Sequence, residues 1–193
     1  MRRRTFDALM TAAGLILTVV LTSAGGLMLM AHNFVDNQVT SQLSAQKIYF
    51  PEKGSDSLND PAVKPYLSQY AGQQLTTSAQ AKAFADHYIA VHLNEMSGGK
   101  TYAELSTASR ANPDDTKLAG LVDTMFKGET LRGMLLNAYA FGQMGAIAFY
   151  GALVAFGGAI LMLALSLLGL AHLRRVPAEA EVKLGARLTP ATA

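Results

Sequence analysis

The stretch that decides the fold is residues 133–173, which read GMLLNAYAFGQMGAIAFYGALVAFGGAILMLALSLLGLAHL and contain no Asp, Glu, Lys or Arg. A second uncharged stretch, residues 8–31, lies near the start of the chain. About 20 apolar residues are enough for a helix to cross a bilayer, so each stretch is long enough. Overall, 50% of the residues are hydrophobic and only 16% are charged, which excludes a purely soluble protein. The sequence therefore predicts two membrane spans.

The first apolar stretch follows a basic start at residues 2–4, an arrangement that is also typical of a cleaved signal peptide. The apolar region of a signal peptide has about 7–15 residues and is followed by small residues at the cleavage site. Here the apolar run continues through residues 27–30, beyond the small residues at 23–26. We expect an uncleaved span at residues 8–31, with a cleaved signal peptide as the alternative.

The second stretch is longer than one span, because a helix of 41 residues would measure about 60 Å against about 30 Å of hydrocarbon. We place the span at residues 144–173 and expect an interfacial segment at 133–143. Lys and Arg in the flanks 1–7 and 174–193 predict that both termini are cytoplasmic, and the tail reads as disordered. Residues 32–132, with nine Lys/Arg and eleven Asp/Glu, would then be extracytoplasmic.

The segment between the spans shows helical spacing and helix caps, and no sustained alternation typical of strands. We expect a helix at residues 60–70 with Pro61 in its first turn, one at 76–96 capped by Thr76 or Thr77 and stopped by Gly98 and Gly99, and one at 101–109. A further helix begins with the signal at 112–115, in which Asn112 is the cap and Pro113 the first helical residue, and Gly128 allows a bend in it. The buried stripe of the second of these helices is predicted to be Ala81, Phe84, Ala85, Tyr88 and Val91. The predicted fold class is all-α: two transmembrane helices with a helical extracytoplasmic domain between them.

Small residues recur along both spans at helical spacing, and such seams let helix backbones approach closely in lipid. In the first span the seam repeats every four residues: Gly14, Thr18, Thr22 and Gly26. In the second span spacings of three and four alternate: Gly145, Ala148, Ala152, Ala155, Ala159, Met162, Ser166 and Gly169. Two uses remain open: the two spans pack on each other, or one seam binds a partner protein or a second copy.

Polar side chains that could support chemistry are most concentrated at Asp86, His87, Tyr88, His92 and Glu95. Two histidines and a carboxylate can bind iron or zinc, but on a regular helix His87 and His92 point about 140° apart. The chain has no Cys, no serine elbow and no complete phosphate loop, and its net charge of +2 does not indicate a nucleic-acid partner. We therefore expect no catalytic residue, metal or cofactor.

Four segments of the chain resemble a family of small two-pass membrane proteins from high-GC Gram-positive bacteria. They are residues 46–51, 70–93, 98–106 and 126–145, the last of which reads FKGETLRGMLLNAYAFGQMG. Some members of that family carry the name aromatic ring-opening dioxygenase. That activity requires two histidines and a carboxylate posed around one iron ion, and the helical spacing above argues against transferring it.

These features lead to three hypotheses. The first is a non-catalytic accessory, scaffolding or assembly subunit of a larger plasma-membrane complex of respiration, transport or the cell envelope. Its partners would be membrane lipid and another membrane protein or a second copy of the chain. The second is an extracytoplasmic ligand-binding or sensing module anchored by two helices. The third, an enzyme that acts through His87, His92 or Glu95, has the least support.

Overall fold

The computed structural model describes residues 3–175 and 177, so most of the predicted tail lies outside the described residues. Within that range the chain is mostly helical and has no strand, only one isolated bridge between Tyr49 and Gln74. The predicted all-α class is confirmed. In chain order the helices are α1 (Arg3–Ala45), α2 (Asp56–Asn59), α3 (Lys64–Leu67), α4 (Ser78–Phe84), α5 (Ala90–Ser97), α6 (Tyr102–Ala111) and α7 (Thr116–Leu173).

The chain divides into two compact units. The helix-pair unit consists of residues 1–30 and 148–193, which contain the first part of α1 and the last part of α7. The central unit is Ala31–Ile147 and contains the remainder of both helices together with α2 to α6.

Two helices, α1 and α7, are long and apolar enough to cross a membrane, as the sequence predicts. Only 6% and 17% of the residues in their most apolar stretches are buried inside the protein. The core helix of a soluble protein is mostly buried, so these two stretches differ from that class. Residues 133–143, predicted to be an interfacial helical segment, are helical and belong to α7. Gly128, where we allowed for a bend, also lies within this helix.

The central unit has one hydrophobic core, to which every one of its helices contributes. Its largest fully buried side chains are Val63, Leu67, Leu75 and Leu135. Burial of each such side chain contributes about 1.5–3 kcal/mol. The remaining buried core residues are Leu43, Phe50, Leu58, Ala81, Phe84, Ala85, Ile89, Leu93, Leu105 and Met125.

The single helix expected at residues 60–70 is instead α2, α3 and a 3₁₀ turn at Ser68–Tyr70. The hydroxyl of Ser55 accepts a hydrogen bond from the Leu58 amide and starts α2 earlier than predicted. Asp60 then interrupts the helix, because its carboxylate accepts a hydrogen bond from the Ala62 amide at 2.6 Å. The predicted helix start at Pro61 is therefore wrong.

The helix expected at residues 76–96 begins as predicted, with a capping box in which Thr77 and Gln80 satisfy each other's backbone amides. It ends at Gly98, whose φ of 61° is left-handed. Between α4 and α5, however, Ala85–Ile89 forms a π-helical segment. This wider turn shifts the buried stripe to Ile89 and leaves the predicted Tyr88 half-buried.

Helix α7 begins three residues after the predicted first-turn proline, Pro113. The carboxylate of Asp115 accepts a hydrogen bond from the Leu118 amide at 2.9 Å and so acts as the cap of α7. Asn112, which we predicted to be that cap, closes the preceding α6 instead. The start signal was placed in the right loop but on the wrong residue.

Candidate functional site

The small-residue seam of α7 follows the buried face of that helix. Seven of its eight positions lie in the helix-pair unit, and none of them is exposed: Ala148, Ala152, Ala155, Ala159, Met162, Ser166 and Gly169. Residues between these positions, such as Val154 and Ile160, are exposed. The eighth position, Gly145, belongs to the central unit, where a Cβ on it would lie 3.2 Å from Val35 Cγ1.

The seam of α1 is only partly on a buried face. Gly14 and Thr18 are half-buried, whereas Thr22 is exposed and a Cβ on Gly26 would meet nothing within 4 Å. Each four-residue step advances about 400° around the helix, so a strict repeat of four drifts by about 40° per step. The buried face continues instead through Gly25.

Close contacts join the two buried faces inside the helix-pair unit. A Cβ on Gly169 would lie 2.6 Å from Thr11 Oγ1, and one on Gly14 would overlap Ser166 Oγ. These glycines therefore let the backbones approach as small residues do in membrane helix pairs. Of the two uses left open by the sequence, packing of the spans on each other is the arrangement within this unit. A partner that bound through the α7 seam, which includes Ala152 and Ala155, would have to compete with α1.

The most strongly coupled charges of the central unit surround Asp86. The ammonium of Lys82 donates a hydrogen bond to one carboxylate oxygen, and Arg132 Nη2 lies 3.5 Å from the other. Mainly because Lys82 donates this hydrogen bond, the pKa of Asp86 is lowered, and the same bond raises the pKa of Lys82. The Lys82 ammonium also lies 5.3 Å from the centre of the Tyr139 ring. These contacts tie α4 and the π segment to α7.

Asp86→Asn is expected to lower the stability of the central unit at pH 7 by about 1 kcal/mol. A lowered carboxyl pKa contributes stability above the unfolded pKa of about 3.9, and this contribution is lost as the pH falls through the folded pKa. The stability difference between the wild type and Asp86→Asn should therefore shrink as the pH falls below about 3.9, as measured by thermal unfolding in detergent. Asp123→Asn is the matched control, since Asp123 pairs with Lys127 at 2.6 Å but both side chains are largely exposed. A pH-independent difference would contradict the assignment.

The predicted polar cluster does not converge on one point. The imidazole of His87 stacks on the Tyr66 ring at 3.6 Å, whereas His92 Nδ1 donates to the Tyr88 carbonyl at 2.8 Å. Glu95 is exposed. No group of three or more His, Cys, Asp or Glu side chains able to hold a metal occurs in residues 3–175. The angle of 140° assumed a regular helix, and the π segment invalidates it, but the two histidines still have separate partners.

A groove of about 410 Å³ lies between α5 and α7 of the central unit. Tyr88, His92 and Met96 line one wall, and Lys127 and Gly128 lie on the other. Because the His92 Nδ1 proton is used by the Tyr88 carbonyl, Nε2 of the neutral ring is the acceptor. The sequence analysis named the histidine but missed the groove, since its second wall comes from residues more than thirty positions later.

Tyr102 of α6 and Phe126 of α7 form an exposed aromatic pair close to the groove. The rings of Tyr102 and Phe126 are 5.8 Å apart, and the two residues are 38% and 55% exposed. Phe126 directly precedes Lys127 of the groove wall. We call Tyr102 and Phe126 the aromatic patch. Neither residue was proposed as a functional residue from the sequence, because helical spacing makes Phe126 look like part of a core face.

No protein-family model, curated protein or solved structure matches the chain. The resemblance to a family of two-pass membrane proteins remains a prediction. The surfaces described above are therefore the basis for a functional proposal.

Proposed function

We propose that this protein is a non-catalytic accessory, scaffolding or assembly subunit of a larger plasma-membrane complex. In this proposal α1 and α7 cross the membrane, both termini are cytoplasmic and the central unit is extracytoplasmic. The exposed apolar surface of the two helices supports the membrane placement, since such surface is stable in contact with lipid and unfavourable in water. The basic residues outside the spans support the orientation.

The observation that carries the proposal is the aromatic patch. Its two rings lie outside the stretches proposed to cross the membrane, so lipid does not account for their exposure. Exposed aromatic side chains grouped on a surface are typical of protein interfaces, where Tyr is enriched among the residues that dominate binding. Most of the α7 seam, by contrast, is engaged within the helix-pair unit and leaves less surface for a partner.

The Tyr102→Ala, Phe126→Ala double variant is expected to recover at least about tenfold less partner than the wild type, since aromatic hot spots contribute about 2 kcal/mol or more. Recovery is measured by tagged purification from native membranes in mild detergent, with quantitative mass spectrometry. The matched control is Phe34→Ala, Tyr49→Ala, which removes one exposed Phe and one exposed Tyr elsewhere in the central unit. Its partner recovery should stay close to the wild-type value.

Equal loss of partner in both double variants would contradict a role for the aromatic patch. Recovery of the wild type alone, as a monomer, would contradict the accessory function itself. That second outcome would favour an extracytoplasmic ligand-binding or sensing module. The observation that supports this alternative is the groove next to the π segment, because π turns occur frequently at functional sites.

A further inference from the structure

One face of α7 in the central unit points away from the core and carries no charge. The core side of the helix is marked by Leu135, which is fully buried, and by Gly142, where a Cβ would overlap Ser78. On the opposite side, exposed residues follow one another at alternating intervals of three and four. We call this set the outer face of α7: Thr130, Gly133, Asn137, Ala140, Met144 and Ile147. Such intervals are those by which two helices pack along each other in a coiled coil.

Lipid does not account for the part of the outer face that lies farthest from the membrane. In the proposed function the span of α7 begins at residue 144, and residues 130–143 extend about 20 Å beyond it at about 1.5 Å per residue. The headgroup layer on each side of the hydrocarbon is only about 5–8 Å thick. Met134, which flanks the outer face about 15 Å from the span, is nevertheless 58% exposed. An uncharged helix face in this position is typical of a protein interface.

A second copy of the chain fits the outer face, because every residue on it is compatible with itself. Two copies in one membrane have the same orientation, so they pair about a two-fold axis along the membrane normal, with their α7 helices parallel. In a parallel pair each residue of the packed face meets its own counterpart. The only charged residue between positions 130 and 147 is Arg132, which lies to the side of α4, 3.5 Å from the Asp86 carboxylate. No pair of like charges would therefore meet on the axis.

Asn137, in the middle of the outer face, can pair with itself. Its carboxamide is exposed, and it forms no hydrogen bond with the other residues that the structure describes. A carboxamide has both donors and an acceptor, so two Asn137 side chains related by a two-fold axis can donate to each other. In parallel two-stranded coiled coils a single Asn on the packed face fixes the register and the number of helices.

We propose that the protein forms a parallel homodimer through the outer face of α7, with Asn137 paired across the two-fold axis. Met144 and Ile147, both more than half exposed, pack on their counterparts at the membrane end of this face. The outer face begins one turn after Phe126, so the aromatic patch stays available to another protein. This inference rests on the membrane placement in the proposed function but not on the aromatic patch, which the purification experiment tests separately.

Cross-linking of single thiols in native membranes tests the homodimer. The chain has no Cys, so Ala140→Cys places one thiol on the axis, whereas Gln143→Cys places an exposed thiol at the same depth but off the outer face. Copper phenanthroline with oxygen oxidises two such thiols to one disulfide. Ala140→Cys is expected to give the linked dimer about tenfold faster than Gln143→Cys, because a disulfide requires Cα atoms within about 7 Å.

A like charge on the axis should separate the two copies. Asn137→Asp in the Ala140→Cys background is expected to lower the cross-linking rate about tenfold, because two carboxylates would then face each other. Gln143→Asp in the same background is the matched control, since it adds the same charge off the outer face. Its rate should equal that of Ala140→Cys alone. If Asn137→Asp fails to insert, Thr130→Asp replaces it, two turns farther from the membrane.

Equal cross-linking of Ala140→Cys and Gln143→Cys would overturn the proposal, and so would an undiminished rate in Asn137→Asp. A disulfide-independent adduct of the Ala140 thiol with another protein, in place of the linked dimer, would also overturn it and would show that a different chain covers the outer face. None of these outcomes depends on whether the aromatic patch recovers a partner, so failure of the homodimer and failure of the accessory function are distinguishable.

Discussion

Gly14→Leu is expected to separate α1 from α7 in the helix-pair unit, because its side chain would occupy the space of Ser166 Oγ. Overpacking of a tight contact costs about 1–3 kcal/mol, which lowers the closely packed population by roughly tenfold. The chain has no Cys, so one thiol can be placed on each helix for cross-linking. Leu21 and Gly158 are suitable positions, since a Cβ on Gly158 would lie 3.3 Å from Leu21 Cδ1. The cross-linking rate in membranes reports the packing.

Gly26→Leu is the matched control for this experiment. Gly26 is exposed on the same helix and a Cβ on it meets nothing within 4 Å, so the cross-linking rate should be unchanged. This comparison also tests the difference between the seam predicted from sequence and the face observed in the structure. Equal effects at the two glycines would mean that α1 packs on α7 through a different face.

Gly128→Leu is expected to destabilise the central unit by about 1–3 kcal/mol. A Cβ at residue 128 would lie 2.5 Å from Leu93 Cδ2, and Leu93 is itself buried in the core. The side chain of Leu93 packs in the core but also borders the groove, so it can relieve only part of the clash by rotating. The midpoint of thermal unfolding, followed by circular dichroism, measures this loss.

Gly133→Leu is expected to leave the stability of the central unit unchanged or to increase it. Residue 133 lies on the same helix, and a Cβ there meets nothing within 4 Å. Replacing an exposed helical glycine by leucine gains up to about 1 kcal/mol of helix propensity, so this variant should be neutral or more stable. Destabilisation by both variants would show that flexibility of α7, rather than contact with Leu93, is what the glycines provide.

Local signals in the sequence predicted much of the fold. The Thr77 cap and the Gly98 stop are in the predicted places because both depend on residues within a few positions of each other. The π segment was not predicted, because hydrophobic periodicity alone does not distinguish an extra residue in a helix from a change of face. The shift from Asn112 to Asp115 has a similar origin, since both side chains are good caps and only packing selects between them.

The candidate sites were harder to predict than the helices. The α7 seam could be predicted from the spacing of its residues, because residues at alternating intervals of three and four lie on one face of a helix. The groove could not be, since it combines side chains from distant parts of the chain. His92 and Lys127, for example, are more than thirty residues apart, and neither belongs to a recognisable motif.

The π segment also affects how the continuous helix formed by α4, Ala85–Ile89 and α5 could change in length. Ala81, Ala85, Ile89 and Leu93 are buried at intervals of four. Deleting one residue from within Ala85–Ile89 would place Ile89 and Leu93 three and seven positions after Ala85, which is ordinary α-helical spacing. The buried positions before and after the π segment would then still lie on one face of the helix. The segment with Asp86 and His87 is thus the place in this helix where evolution can add or remove one residue without repacking the core.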